Sequence, residues 1–208
     1  MTNPWLTQPT EPDPHEAAPA AAPVRAATGP TAPQRDMTIE PARHALPIVD
    51  RWETAELWWV GAHGGSAETS LAGLVPGWVA AGHAWPKPFD GTRARVVLTA
   101  RTSMGGLLAA QAAATQWAAG VVPHVDLLGL VLVADAPGRI PKALRAFGQV
   151  VRGGAPREWS VPWIESWRLG ESLALDAAPR EVRRLVEELH ALIEAGAGGA
   201  STTGRNTA

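Results

Sequence analysis

The chain has no cysteine. That excludes disulfides and thiolate-ligated zinc, and it agrees with a reducing compartment, so the expected location is the cytoplasm. Tyrosine is also missing and phenylalanine occurs only twice, which leaves the aromatic surface to ten tryptophans. Trp is a large amphipathic anchor, common in cores and enriched at interfaces. Lysine occurs only as Lys87 and Lys142, and arginine carries the rest of the positive charge. Neither sign of charge dominates. The net charge is −2, which offers nucleic acid or an anionic membrane no general attraction. No apolar run reaches the roughly 18 residues that span a bilayer. The N-terminus lacks the basic start and apolar core of a signal peptide.

The 208 residues suffice for one domain with tails. Residues 1–50 are rich in Pro, Ala, Thr and Gln, as in "EPDPHEAAPAAAPVRAATGPTAPQ". Such a segment buries too little apolar surface to offset its ordering entropy, so disorder is expected. "NPWL", with Trp5 and Leu6, reads as a stray apolar pair or a short docking motif. Residues 196–208, "GAGGASTTGRNTA", read as a second flexible tail. Between them, over 51–195, the period alternates. "ELWWVGA", "RARVVLTART", "DLLGLVLVADAPG" and "REWSVPWI" are short apolar runs of strand length. "TSLAGLVPGWVAAG" reads as a short helix bent or ended near Pro76 and Gly77. "MGGLLAAQAAATQWAAG" reads as an Ala-rich helix closed by Gly120, and "PKALRAFGQVVRG" as a helix opened by Pro141. In the last helix Val182, Leu185, Val186, Leu189, Leu192 and Ile193 recur at three- and four-residue steps. Strands alternating with helices imply an α/β, three-layer architecture, a mostly parallel sheet flanked by helices.

The stretch "WWVGAHGGSAETSLAGLV" joins an apolar strand to a helix through glycines. Such a turn aims backbone N–H groups at one spot and adds the partial positive charge of a helix N-terminus, which is how phosphates are cradled. Gly61, Gly64 and Gly65 permit close approach, and Thr69 and Ser70 stand where hydroxyls of such loops meet Mg²⁺. The charge is reversed. A lysine at the helix entrance would give phosphate a charge-assisted contact of about 1.5–3 kcal/mol, whereas the residue there is Glu68. A carboxylate would repel phosphate by about 4 kcal/mol per unit pair at about 4 Å and an effective dielectric of about 20. Glu68 could instead complement the helix dipole in the first turn, or face a cation.

"HGGSAETS" resembles the deviant Walker A loop of the ParA/MinD type ATPases, K-G-G-x-G-K-[ST]-[ST]. His63 falls on the signature lysine, Gly64 and Gly65 on the first glycines, Ser66 on the variable place. Ala67 then falls on the third glycine, Glu68 on the phosphate lysine, and Thr69 and Ser70 on the hydroxyl pair. "RVVLTARTSMGGLLAAQAAATQWAAG", "DLLGLVLVADAPGR" and "SVPWIESWRLGESLALDAAPREVRRLVEELHALI" are similar, in order, to that family's late strand and helix, its next strand and its closing segment. The resemblance spans 56–195. It implies a P-loop NTPase-like fold with ATP and Mg²⁺ as the bound species. Two family strands that carry catalytic and Mg²⁺-holding aspartates are expected to be cut down to "AAGHAWPKPFDGTRA", the second strand surviving as "GHAWP". The implied protein is shortened and degenerate, binds ATP without hydrolysing it if at all, and has no catalytic residue. The combination also resembles uncharacterised actinobacterial proteins encoded near conjugation and plasmid functions, which implies a mobile-element setting.

Arg101, Asp135 and Arg139 lie at expected strand ends and are the candidates beside the nucleotide base. Asp135 in "VLVADAPG" is also similar to a Walker B aspartate, and its plainer reading is a strand-end carboxylate capping a turn. Trp159, Trp163 and Trp167 between Arg157 and Arg168 are the interaction candidates, with core packing as the plainer reading. His63 and His83 could approach each other at one sheet edge. His15, His44, His124 and His190 complete the set, none at metal spacing, so no metal is expected. The expected partner is a protein, or a second copy in a homodimer, with no nucleic-acid signature. A working ATPase with an unorthodox loop, and a Trp-rich adaptor unrelated to nucleotide, are the alternatives.

Overall fold

The computed structural model describes residues 24–34, 37, 45–172 and 174–202, and for 198–202 the backbone alone. Trp5, Leu6, His15 and His44 lie outside the described residues.

The continuous apolar runs become strands buried on both sides, as parallel sheets require. The elements are β1 Ile48–Arg51, β2 Leu57–Gly61, α1 Glu68–Ala72, β3 Trp78–Gly82, β4 Trp85–Pro88, β5 Ala94–Arg101, α2 Met104–Ala118, β6 Val125–Val133, α3 Lys142–Arg152, β7 Glu158–Val161, α4 Glu165–Arg168 and α5 Arg180–Thr202. Five strands form one sheet in the order β3-β2-β5-β6-β7, every neighbour parallel. β1 and β4 form a separate two-stranded parallel sheet. Taken in chain order, the main sheet runs 2-1-3-4-5, one of the two common doubly wound orders. Its direction reverses between β2 and β5, and in such sheets ligands bind outside the carboxyl ends of the strands at that reversal.

The period-2 rule divides the core. In β2, Trp58 and Val60 point to one face and Leu57 and Trp59 to the other. The first face packs on α2 and α3 through Leu107, Ala110, Ala113, Trp117 and Val151. The second packs on α1 and α5 through Leu71, Val182, Leu185, Val186, Leu189, Leu192 and Ile193, the positions expected from the last helix's spacing. The structure is therefore α/β, a mostly parallel sheet between two helical layers.

Four expectations are corrected. "TSLAGLVPGWVAAG" is not one helix. Helix ends at Ala72, Pro76 and Gly77 (φ 86) turn the chain, and Trp78–Gly82 returns as a strand beside β2. The middle is less reduced than expected, because two strands stand there, β3 in the main sheet and β4 against β1. The segment expected to be disordered through residue 50 contains β1, and residues 24–34 touch the domain. Thr28 N–H donates to Pro156 O at 2.9 Å, Arg157 Nε donates to Arg25 O at 2.7 Å, and Arg25 reaches Glu188 at 3.3 Å. At the other end, helix α5 runs past Gly196 to Thr202.

Candidate functional site

The glycine loop leaves β2 at Gly61 and enters α1 at Glu68, on the carboxyl edge of the sheet. Two residues of the loop take the left-handed backbone, Gly65 (φ 75) and Ala67 (φ 75). The second stands where the resemblance puts the third glycine. Where a left-handed residue follows a right-handed one, successive N–H groups turn to one side, the geometry of an anion-binding nest. None of the backbone N–H groups from His63 through Ser70 has an acceptor among the described residues. Thr69 and Ser70 offer hydroxyls that also make no hydrogen bond among the described residues, Thr69 being exposed.

Glu68 does not point to solvent. It is buried, and its Oε2 accepts a 2.6 Å hydrogen bond from the hydroxyl of Ser66, which is wholly buried. Thr99 Oγ1, at the end of β5, donates in turn to Ser66 Oγ at 3.0 Å. The other carboxylate oxygen stands 3.8 Å from His83 Nε2, while His83 Nδ1 donates to Gly61 O at 3.1 Å. Gly61 is required by this packing. A Cβ there would lie 2.5 Å from Ser66 Oγ, 2.7 Å from His83 Nδ1 and 3.0 Å from the Glu68 carboxyl carbon. The loop is thus folded around an internal carboxylate.

His63 and Arg101 close the loop over the reversal point. The Arg101 backbone N–H donates to His63 Nε2 at 2.9 Å, and the ring's Nδ1 faces Gly64 O at 2.9 Å. His63 lies on Gly106 in the first turn of α2, where a Cβ would clash with Arg101 O and sit 2.7 Å from His63 Nε2. The Arg101 side chain donates from Nε to Gly65 O and from a terminal nitrogen to Ala134 O, both at 2.8 Å, so it spans from the loop to the end of β6. Partial burial lowers its pKa, Asp135 and Glu68 oppose that shift, and Arg168 adds to it; guanidinium stays charged throughout.

His63 and His83 both reach this edge, each on its own backbone partner. Asp135 is exposed, and its backbone N–H donates to Thr102 Oγ1 at 3.1 Å. Arg139 is exposed and bonded to none of the described residues. A groove of about 520 Å³ opens beside Asp135 at the ends of β6 and β7, walled by Pro137, Ile140, Val161, Pro162 and Trp163. The three interaction tryptophans separate. Trp159 belongs to the core, its indole donating to Glu188 Oε2 at 2.7 Å with Arg25 above the ring. Trp163 is half-buried in the groove and bonded to Glu165, and Trp167 packs on the second core. Sequence reading missed Ser66 as an internal donor, Thr99 behind it and the part of His83. A hydroxyl two residues before an acid at a helix entrance was the only available signal. Among the described residues no group of three or more His, Asp or Glu could hold a metal, and no helix is long and apolar enough to cross a membrane.

A model of a family of unknown function, DUF6668, matches residues 55–186. The match takes in the glycine loop and every strand of the main sheet, and leaves β1 outside. No curated protein and no solved structure matches the chain.

Proposed function

The chain belongs to that family of unknown function, so its role has to be argued from the site, and we propose that it is a degenerate P-loop domain of the ParA/MinD kind. It does not hydrolyse nucleotide and acts as a regulatory, partner-binding module, in the plasmid-maintenance or conjugation setting that the resemblance implies. One observation carries the reading: Glu68 holds its carboxylate inside the glycine loop, bonded to Ser66 and facing His83. A phosphate entering that nest would meet a fixed negative charge, at roughly 4 kcal/mol for a pair about 4 Å apart. Phosphoryl transfer relies on cations to hold the charge of its transition state. Ala67 in the left-handed backbone at the third glycine place, and the loop's position at the reversal of a doubly wound sheet, support the P-loop kinship.

A second reading, an active site with unorthodox charges, is favoured by the N–H groups of residues 63–70 without acceptors and by Arg101 beside them. Calorimetric titration of ATP, ADP and GTP with Mg²⁺ into the native protein, Glu68→Gln and Glu68→Lys separates the two. Silence from the native chain with binding restored in Glu68→Lys is the expected outcome. Micromolar binding by the native chain would favour the active site. Silence from all three folded proteins would remove the P-loop reading.

A further inference from the structure

β1 is the exception in a fold of buried strands, since Ile48, Val49 and Asp50 are all exposed and Arg51 is half-buried. Among the described residues its one neighbour is β4, in the register Ile48↔Trp85, Val49↔Pro86, Asp50↔Lys87, Arg51↔Pro88. Trp85 N–H donates to Pro47 O at 2.8 Å and Phe89 N–H to Arg51 O at 2.9 Å. Backbone groups alternate sides along a strand. Pro47, Val49 and Arg51 therefore turn theirs to β4, and Ile48 and Asp50 turn theirs outward. Two residues before Ile48 the outward side is closed. The Gln116 side chain accepts from Leu46 N–H at 2.8 Å and donates to Leu46 O at 3.0 Å, as a neighbouring peptide would. At Ile48 and Asp50 none of the described residues does this.

The two edges of the small sheet are treated differently. On β4 the residues whose backbone points away from β1 are Pro86 and Pro88, which have no N–H to offer. Proline is a usual block on edge pairing, and β1 has none within it. Just past the ends of β1 and β4 stand Trp52 (75% exposed) and Phe89 (64% exposed), stacked on each other with ring centroids 3.8 Å apart.

We propose that β1 pairs antiparallel with β1 of a second copy of this chain, joining the two small sheets into one of order β4-β1-β1-β4 about a two-fold axis at Val49. This does not rest on the reading of the glycine loop. Outward residues must face outward residues across the axis. The register that sets Ile48 opposite Asp50 of the other copy does so and keeps the two Asp50 residues apart, whereas a shift by one pair would bring them face to face. Each charge at the edge already has its counter-ion in its own copy, Asp50 with Lys87 at 3.3 Å and Arg51 with Glu53 at 3.6 Å. The edge is electrically neutral as a whole. It suits an identical edge and gives a charged peptide nothing to pair with.

The absence of cysteine makes the register testable. Across the axis Val49 faces Val49 as a non-hydrogen-bonded pair, with Cα atoms about 4.5 Å apart, inside disulfide range. Two Ile48 residues would be offset along the strands to beyond about 7 Å, outside it. Under mild oxidation Val49→Cys is expected to become a covalent dimer and Ile48→Cys to remain uncrosslinked. Native protein is expected to sediment at twice the chain mass. Asp50→Pro, which removes an outward N–H and with it the exposed Asp50–Lys87 ion pair, should halve that mass. If Asp50→Pro fails to fold, Ile48→Lys leaves the backbone intact and should do the same. The proposal is overturned by a native chain that sediments as a monomer at every concentration. Crosslinking of Ile48→Cys as fast as Val49→Cys, or a dimer that survives the folded edge variants, overturns it too.

Discussion

Ala67 keeps a side chain in a backbone region that costs an L-residue about 1–2 kcal/mol. Glycine there would remove the strain and give part of it back as unfolded-state entropy. Ala67→Gly is therefore expected to stabilise by about 0.5–1 kcal/mol, seen as a small rise in melting temperature; a fall would mean that the Ala67 methyl, which is buried, matters more than the strain. Glu188 is the second residue with a definite consequence. Burial by itself would raise its carboxyl, but hydrogen bonds from Trp159, Arg184 and Arg25 outweigh it and hold the pKa below the ordinary 4.5. A depressed folded pKa contributes stability above the unfolded value and loses it as pH falls through the folded one. Native protein should lose stability below about pH 4.5, and part of that loss should vanish in Glu188→Gln when unfolding is followed by denaturant across the acid range.

Elements differed in how far their sequence announced them. "RARVVLTART" and "DLLGLVLVADAPG" are long, apolar and rich in β-branched residues, and they became β5 and β6. The last helix's three- and four-residue spacing gave its buried face residue by residue. β3 was hidden. "WVAAG" has two alanines and a glycine where a strand signal needs branched side chains, and it follows helix-like residues without polar punctuation beyond Pro76 and Gly77. Only its neighbour β2 makes it a strand, so tertiary pairing decided what local preference left open. In the glycine loop the turn and its glycines were legible, but the inward fold of Glu68 was not, because it depends on Thr99 and His83 arriving from β5 and beyond β3. At this scale β6 carries a sharp test. Its ladder with β5 shifts by one residue between Leu127 and Gly129. A Cβ on Gly129 would collide with the Trp159 ring and lie 2.6 Å from Arg157 O. Gly129→Ala should destabilise by about 1–3 kcal/mol as an overpacked core site, measured by chemical denaturation. A neutral result would mean that β7 can move away from β6 freely.

Across the whole molecule, residues 24–34 and 48–50 depart from what the composition of their segment implies. Pro and Ala do not build a core, yet residues 24–34 need only a groove to lie in, and Arg25 supplies a polar anchor at Glu188 and a cation over Trp159. A chain beginning at residue 35 forfeits that ion pair and the hydrogen bonds from Thr28 and Arg157. At about 0.5–1.5 kcal/mol each, the loss should lower the melting temperature by several degrees, and an unchanged melt would mean that the segment adds no stability.

The small sheet closes a long loop. Its strands run parallel, so β1 and β4 pair across the whole of β2, α1 and β3, and their pairing carries the entropy of closing that loop. Once closed, the loop holds the glycine turn within it. The amide protons of Val49 and Arg51 therefore report that closure, exchanging with solvent whenever the ring of chain is open and slowing when it is shut.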